Sequence, residues 1–107
     1  MMLELSAQGV LPVETVVEKM CHAPARLFGV RDRGFLRTGY FADIVLVRPA
    51  DPWTVSKENI LYKCGWSPLE GTAFSHRVVR TLVNGRTVYA DGRVDTAHRG
   101  AALEFDR

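Results

Sequence analysis

The N-terminal third of the chain has the hydrophobic spacing of helices. Apolar residues recur at i, i+3, i+4, i+7 and i+8 along one stretch, which places them on a single helical face: Val13, Val16, Val17, Met20 and Cys21. Before this stretch, residues 1–7 have helical composition, and Gly9 follows where a helix C-terminal glycine would stand. After it, Pro24 can open a short helix that Gly29 terminates. The pattern predicts a compact helical hairpin with one apolar side, preceded by the end of another helix.

Strand-like patterns begin at residue 34. The apolar run from Ile44 to Val47, ended by Pro49, predicts a strand that is buried on both faces. Residues 51–71 contain both tryptophans and two proline pairs but no sustained periodicity. They predict a long ordered loop with one helical turn near residues 56–58.

The clearest local signal is the Asn84-Gly85 pair between two β-rich runs. Both central positions of a type I′ turn require positive φ, so this pair predicts a two-residue hairpin. The predicted register opposes three sets of residues: Val83 with Arg86, Thr81 with Val88, and Val79 with Ala90. Further on, Asp91-Gly92 predicts a second tight turn, and residues 100–105 predict a short edge strand.

Together these elements predict an α+β fold in one small domain. Residues 1–33 form its helical segment, and residues 34–107 form its β portion, with a long loop at residues 51–77. The chain has 107 residues, whereas a complete catalytic (β/α)₈ barrel needs roughly 250. The sequence therefore excludes such a barrel within this chain.

Charge and hydropathy limit the kinds of partner that the chain is expected to bind. The 14 basic and 12 acidic residues give a formal charge of +2, and they are scattered along the sequence. This balance favours neither nucleic acid nor an anionic membrane as a partner. Because no apolar run approaches the roughly 18 residues of a spanning helix, we expect a soluble, cytoplasmic protein.

Cysteines and histidines offer no clear metal site. Cys21 and Cys64 form no Cys-x-x-Cys motif, and we expect both to be buried free thiols. The three histidines, His22, His76 and His98, are far apart in the sequence and lack the close pairs that announce a hydrolytic metal centre. His22 is interpreted as a residue near a helix C-terminus that interacts with the helix dipole. We therefore predict no metal ligands in this chain.

Nucleophilic and ligand-binding sites are also weakly supported. Ser67, Ser75 or Cys64 could in principle combine with His76, but no Gly-x-Ser-x-Gly elbow is present. Three aromatic residues could line a pocket, although such loop aromatics more often anchor the loop to the core: Trp53, Tyr62 and Trp66. The residues alone thus predict a noncatalytic α+β domain, with no catalytic or substrate-binding residue.

Several stretches, in order, resemble the C-terminal portion of dihydroorotases, which belong to the cyclic amidohydrolase superfamily. The stretches are residues 11–17, 22–30, 39–47, 63–71, 83–89 and 91–92. Those at 24–29 and 39–47 are similar to sequences shared across the superfamily, including allantoinases and dihydropyrimidinases. The Trp-Ser-Pro-Leu-Glu-Gly run at 66–71, followed by the Val-Asn-Gly hairpin, is closer to dihydroorotases.

The resemblance implies both an architecture and a chemistry. The helices would pack on the end of a barrel that lies outside this chain, and the strands would form part of an incomplete β-sandwich. Asp43 would hydrogen-bond neighbouring backbone amides. In such enzymes a zinc-activated hydroxide opens a cyclic amide, and the resemblance implies dihydroorotate, which ring opening converts to N-carbamoyl-aspartate in pyrimidine biosynthesis. All metal ligands and the catalytic aspartate of the family would lie upstream of Met1, so this chain alone would be inactive.

Partners and substrate remain open at this level. The expected partner is the missing barrel portion, or a second copy joined through an open sheet edge near Leu36, Ile44 and Leu46. One alternative is a noncatalytic subunit that docks onto an amidohydrolase or a pyrimidine-pathway enzyme. Another is a small binding module that uses the loop from Trp53 to Trp66. Dihydroorotate leads as the parent substrate, with allantoin or a hydantoin behind it.

Overall fold

A computed structural model describes residues 1–106 and confirms the α+β class, with a helical hairpin region followed by an open four-stranded antiparallel sheet. The helices are α1 (Met2–Ala7), α2 (Val13–Val17) and α3 (Ala23–Leu27). The strands are β1 (Ile44–Thr54), β2 (Ala73–Val83), β3 (Arg86–Ala90) and β4 (Arg93–Val94). The sheet is consistent with an incomplete sandwich, because only one layer of strands is present in the described residues.

Both predicted glycine terminators end helices. After α1, the Val10 amide donates to the Leu5 carbonyl and the Gly9 amide to the Ser6 carbonyl, which is the Schellman arrangement. The same pair of bonds recurs after α3, from Val30 to Ala25 and from Gly29 to Arg26. These motifs release the chain from each helix in a fixed direction.

The expectation that Pro24 opens a helix separate from the preceding one is wrong. Residues 18–22 form a π-helical turn that joins α2 to α3, and His22 and Ala23 at its end both have right-handed helical backbone angles. Pro24 fits directly after the π turn, because its missing N–H falls near the start of α3. The predicted apolar face is also not buried as a unit: Val16 is buried, whereas Val13, Val17, Met20 and Cys21 are exposed.

The sheet has the strand order β1-β2-β3-β4, so β1 forms one open edge. The Asn84-Gly85 turn is confirmed, with φ of 49° and 78°, and Asp91-Gly92 makes the second turn into β4. Val83 faces Arg86 as predicted. Beyond that pair the predicted register is wrong, because a bulge at Val88 moves Tyr89 opposite Thr81 and Ala90 opposite Arg80.

One face of the sheet carries an uncovered group of valines, which we call the apolar face. Cross-strand partners share a face, and residues alternate along β1, so the pairing places four valines on the same side: Val45, Val47, Val78 and Val94. Their exposed fractions are 55%, 37%, 42% and 59%. The prediction that residues 44–47 are buried on both faces is therefore wrong, since no described element covers them.

The predicted loop at 51–77 is shorter in the structure, because β1 continues to Thr54 and β2 begins at Ala73. The helical turn is present at Lys57–Asn59. Residues 100–105 do not extend the sheet. Instead, Phe105 bridges to Val30, and the Arg31 amide donates to the Glu104 carbonyl, which ties the C-terminal segment to the end of α3.

The described core is small, and the molecule is open. Four apolar residues are buried: Val16 in α2, Ala25 in α3, Val55 just after β1 and Phe74 in β2. The radius of gyration is 15.6 Å, whereas a compact domain of this length would have about 13 Å. In the described part of the chain, no helix is long and apolar enough to cross a membrane.

Candidate functional site

A group of polar contacts lies where the helical segment meets the sheet. The carboxylate of Asp43, just before β1, accepts a hydrogen bond from the Asn84 amide at 2.8 Å and another from the Arg33 guanidinium. Its partner Arg33 follows α3 in sequence and is 11% exposed. We call this three-residue group the latch, because it joins the chain after α3, the entry to β1 and the β2–β3 turn.

Two neighbouring contacts hold the latch in place. The Arg33 guanidinium lies 4.0 Å from the centre of the Phe41 ring, and the Gly85 amide donates to the Ala42 carbonyl at 3.0 Å. One guanidinium nitrogen of Arg33, Nη2, is buried without a hydrogen-bond partner among the described residues. Asp43 thus bonds to a backbone amide, although to one 41 residues away and not to the neighbouring amides that the resemblance implied. The sequence offered no signal for Arg33, because the pairing depends on tertiary structure.

His22 is packed against an aromatic ring rather than placed as a ligand. Its imidazole stacks on Phe35 with ring centres 4.3 Å apart, and its Nδ1 lies 3.4 Å from a carboxylate oxygen of Glu18. The Arg37 guanidinium covers Phe35 at 4.3 Å. His22 also lies inside the continuous helix, so its interpretation as a residue at a helix C-terminus is wrong.

Ser75 and His76 are adjacent to an acid, but they do not form a catalytic triad. The Ser75 hydroxyl and amide both donate to one oxygen of Glu4, each at 2.8 Å, while the Ser75 oxygen lies 3.2 Å from His76 Nδ1. In a triad the hydroxyl proton goes to the histidine and the acid orients that histidine. Here the hydroxyl donates its hydrogen bond to the carboxylate of Glu4 instead, so the contact joins α1 to β2 and does not activate a nucleophile.

Acid is expected to detach α1 from β2. The Ser75 amide and hydroxyl, with a smaller effect of the nearby His76, hold the pKa of Glu4 below its usual range. A lowered folded-state pKa gives stability that is present above the ordinary pKa, about 4.3, and is lost as the pH falls through the folded value. Hydrogen exchange of the α1 amides should therefore accelerate below about pH 4 relative to β3.

Two variants test this contact. Glu4→Gln should show fast α1 exchange already at neutral pH and lose the acid-dependent step, whereas Glu14→Gln, in the first turn of α2, should behave as the parent chain does. An unchanged acid step in Glu4→Gln would mean that another group controls the docking of α1.

The remaining candidate nucleophiles are separate from His76 in the contacts observed. Ser67 Oγ accepts the Leu69 amide at 3.1 Å, which closes a local turn, and Cys64 Sγ lies 3.5 Å from the Trp66 carbonyl. Cys21 and Cys64 are free, but both are exposed, so their predicted burial is wrong.

Loop aromatics divide into one anchor and two exposed rings. Trp53 donates from Nε1 to the His76 carbonyl at 2.9 Å, and its ring lies 5.7 Å from that of the buried Phe74, so it anchors the sheet end as favoured above. Trp66 and Tyr62 do not anchor the loop, since they are 60% and 51% exposed.

The donor set of this chain does not fit a zinc centre. Among residues 1–106, no three histidine, cysteine or carboxylate side chains come together in a way that could hold a metal ion. His22 is engaged with Phe35 and Glu18, and His98 Nε2 is buried without a hydrogen-bond partner in the described structure. No reaction step is therefore assigned to zinc bound by these residues.

Comparison with known proteins identifies relatives over most of the chain. Residues 4–89 match the amidohydrolase family. An allantoinase from Bacillus velezensis is 40% identical over 91 residues, which cover 85% of this chain and 20% of that protein. A dihydroorotase from Pyrococcus furiosus is 30% identical over 103 residues, which cover 96% of this chain and 25% of that protein.

A second allantoinase, from Rubrobacter xylanophilus, is 38% identical over 97 residues and is covered over 21% of its length. The chain thus spans about a quarter or less of the length of these relatives. Both relative names are those of cyclic amidohydrolases, which confirms the resemblance drawn from the sequence. Because the match extends over residues 4–89, the chain belongs to the amidohydrolase family.

Proposed function

We propose that this chain is the C-terminal structural segment of a zinc-dependent cyclic amidohydrolase and is inactive alone. Its helices pack on the end of a catalytic barrel, and its sheet forms one layer of a β-sandwich that other strands of the same enzyme complete. The parent enzyme opens a cyclic amide in the cytoplasm. Dihydroorotate, in pyrimidine biosynthesis, is the first candidate substrate, and allantoin or a hydantoin is the next.

The observation that carries this proposal is the excess of exposed surface. The accessible area is 8303 Å², whereas a compact protein of 12.0 kDa exposes about 6,000 Å². The excess, about 2,300 Å², is the amount that large permanent interfaces bury. A domain that folds for itself does not leave this area uncovered, so the excess supports a segment that packs against a larger body.

The position of the uncovered residues supports the same conclusion. Further strands can pair with the open edge formed by β1, and a second layer of strands can pack on the apolar face. On the helical side, Leu27, Phe28 and Leu36 are 77%, 65% and 80% exposed and suit packing on a barrel. When the chain is alone, the same surfaces would favour self-association.

Within the parent enzyme, the latch would hold the sheet in place relative to the helices and would take no part in the reaction. Arg33 belongs to the segment that would contact the barrel, and Asp43 and Asn84 belong to the sheet. Their bonds fix the sandwich relative to the barrel end. Zinc, when bound by residues outside this chain, would supply an activated hydroxide and polarise the amide carbonyl.

Segment exchange tests the proposal. The matching segment of the Bacillus velezensis allantoinase is replaced by this chain, and the same is done in the Pyrococcus furiosus dihydroorotase. Each chimera should keep the substrate of its recipient with kcat/KM reduced less than about tenfold, because a scaffold leaves transition-state contacts intact. The isolated chain with zinc should open neither ring above a no-protein control.

Each other outcome has a defined meaning. If the substrate preference followed this chain into both recipients, the segment would carry substrate-contacting residues, and the scaffold proposal would fail. Ring opening by the isolated chain would remove the claim of inactivity. If both chimeras misfolded while the intact chain bound either enzyme in a pull-down, the chain would be a noncatalytic partner subunit instead.

A further inference from the structure

Four arginines share the face of the sheet opposite the apolar face. Arg48 pairs directly with Arg77, and Arg80 pairs with both Leu46 and Ala90, which in turn faces Arg93. Because Leu46 and Arg48 are two residues apart on β1, these rows lie on the same side. We call the four residues the arginine face: Arg48, Arg77, Arg80 and Arg93.

The arginine face forms no ion pair among the described residues, whereas Arg26, Arg31 and Arg33 each pair with a carboxylate. Like charges at directly opposed positions destabilise a sheet, so the pairing of Arg48 with Arg77 opposes folding. The sheet therefore carries an electrostatic cost that a bound anionic group would remove.

The surroundings of the pair form a concave surface. Arg48 and Arg77 line a depression together with residues 49–52, where β1 bulges away from β2. The Arg77 guanidinium lies 5.5 Å from the centre of the Trp53 ring, which orients it. Asp51 lies on the rim of the depression and is the only acidic residue within the four strands.

The residue types favour carboxylates as the groups bound. The four strands contain five arginines and no lysine, and the arginine fork matches a carboxylate with two parallel hydrogen bonds. Between the arginines lie apolar side chains, Leu46 and Leu82, a mixture typical of protein interfaces. Apart from Trp53, whose ring lies beside Arg77, the strands place no aromatic ring on this face, so it lacks the row of stacking rings found in single-stranded nucleic-acid sites.

We propose that the arginine face docks a separate protein that presents carboxylates about one strand spacing, roughly 5 Å, apart. Arg48 and Arg77 form its centre, and Arg80 and Arg93 extend it across β2 to β4. This site goes beyond the proposed amidohydrolase scaffold, which uses the opposite face of the sheet and the helices. Success or failure of the segment exchange therefore leaves this proposal untouched.

The test measures binding of fluorescein-labelled poly-L-glutamate to the whole chain by fluorescence anisotropy at low salt. Arg48→Gln/Arg77→Gln should weaken binding at least about tenfold, since two charge-assisted contacts are lost. The matched control, Arg86→Gln/Arg99→Gln, removes the same net charge: Arg86 faces Val83 on the other side of the sheet, and Arg99 lies outside the strands. The control should change affinity less than about twofold.

A measurement of folding and binding assays with other anionic ligands complete the test. By circular dichroism, Arg48→Gln/Arg77→Gln should keep its spectrum and unfold at the same or a higher temperature, because a repulsive pair is removed. Equal weakening in both double variants, or no binding to the parent chain, would overturn the site. Tighter binding of polyuridylate or phosphatidylserine vesicles would replace the protein partner with a phosphate surface. Self-association that these substitutions abolish would replace it with a second copy.

Discussion

Asp43→Asn is expected to lower the free energy of unfolding by about 1–3 kcal/mol, because the Asp43 side chain is 32% exposed but its loss of charge leaves a mostly buried guanidinium without an ion-pair partner. Asparagine can still accept the Asn84 amide, so the substitution isolates the loss of negative charge beside Arg33. Arg33, which is 11% exposed, would keep an unpaired charge, and its Nη2 already lacks a partner among the described residues. The latch is thus the polar contact on which the joint between helices and sheet most depends.

Urea unfolding of the chain, followed by circular dichroism, measures this effect. Asp106→Asn is the matched control, because Asp106 pairs with Arg31 at the surface and is 80% exposed, so its loss should cost less than about 1 kcal/mol. Removing both charges in Arg33→Met/Asp43→Asn should cost less than Asp43→Asn alone, because no buried charge is then left without a partner. If Asp43→Asn were as mild as the control, the latch would be an ordinary surface contact.

Gly34→Ala is the second substitution with a large expected cost, about 2–5 kcal/mol from backbone strain and overpacking together. Gly34 has φ of +80°, and an added Cβ would lie 2.5 Å from the Ala25 Cβ and 2.8 Å from the Cys21 carbonyl oxygen. These atoms belong to the helix itself, which cannot yield without moving Ala25 out of the core. The glycine therefore permits the chain to pass directly beneath α3.

Gly65→Ala separates the cost of backbone strain from the cost of overpacking. Gly65 has φ of +70° but open space around its Cβ position, so it should show only the backbone strain of about 1–2 kcal/mol. Thermal unfolding of both variants gives the difference, which measures packing at Gly34. Equal costs would show that the close approach to Cys21 and Ala25 relaxes without penalty.

Turns and helix ends could be predicted because their signals lie within a few adjacent residues. The Asn84-Gly85 turn and the glycines after α1 and α3 each depend on a local backbone angle that few residue types accept. The bulge at Val88 and the π turn at residues 18–22 were missed, since both insert one extra residue into a pattern whose periodicity is otherwise normal.

Burial was the less predictable property. The apolar run at residues 44–47 indicates that these side chains favour burial away from water, but it does not indicate which segment or partner covers them. The candidate site divides in the same way. The resemblance implied that Asp43 bonds to backbone amides, whereas Arg33, ten residues earlier, could be found only from the fold that brings the two together.

Because of the π turn, the packing of the helical segment at residues 13–27 is sensitive to deletions and insertions but tolerates substitutions at exposed positions. Each helical residue rotates the following chain by about 100°. Deleting one residue from 18–22 would convert the turn to regular α-helix and swing α3 by that angle, carrying Ala25 away from Gly34 and Arg26 away from Glu18. Substitutions at exposed positions such as Lys19 leave the rotation unchanged. In this segment, therefore, the number of residues constrains the fold more tightly than the identity of the exposed side chains does.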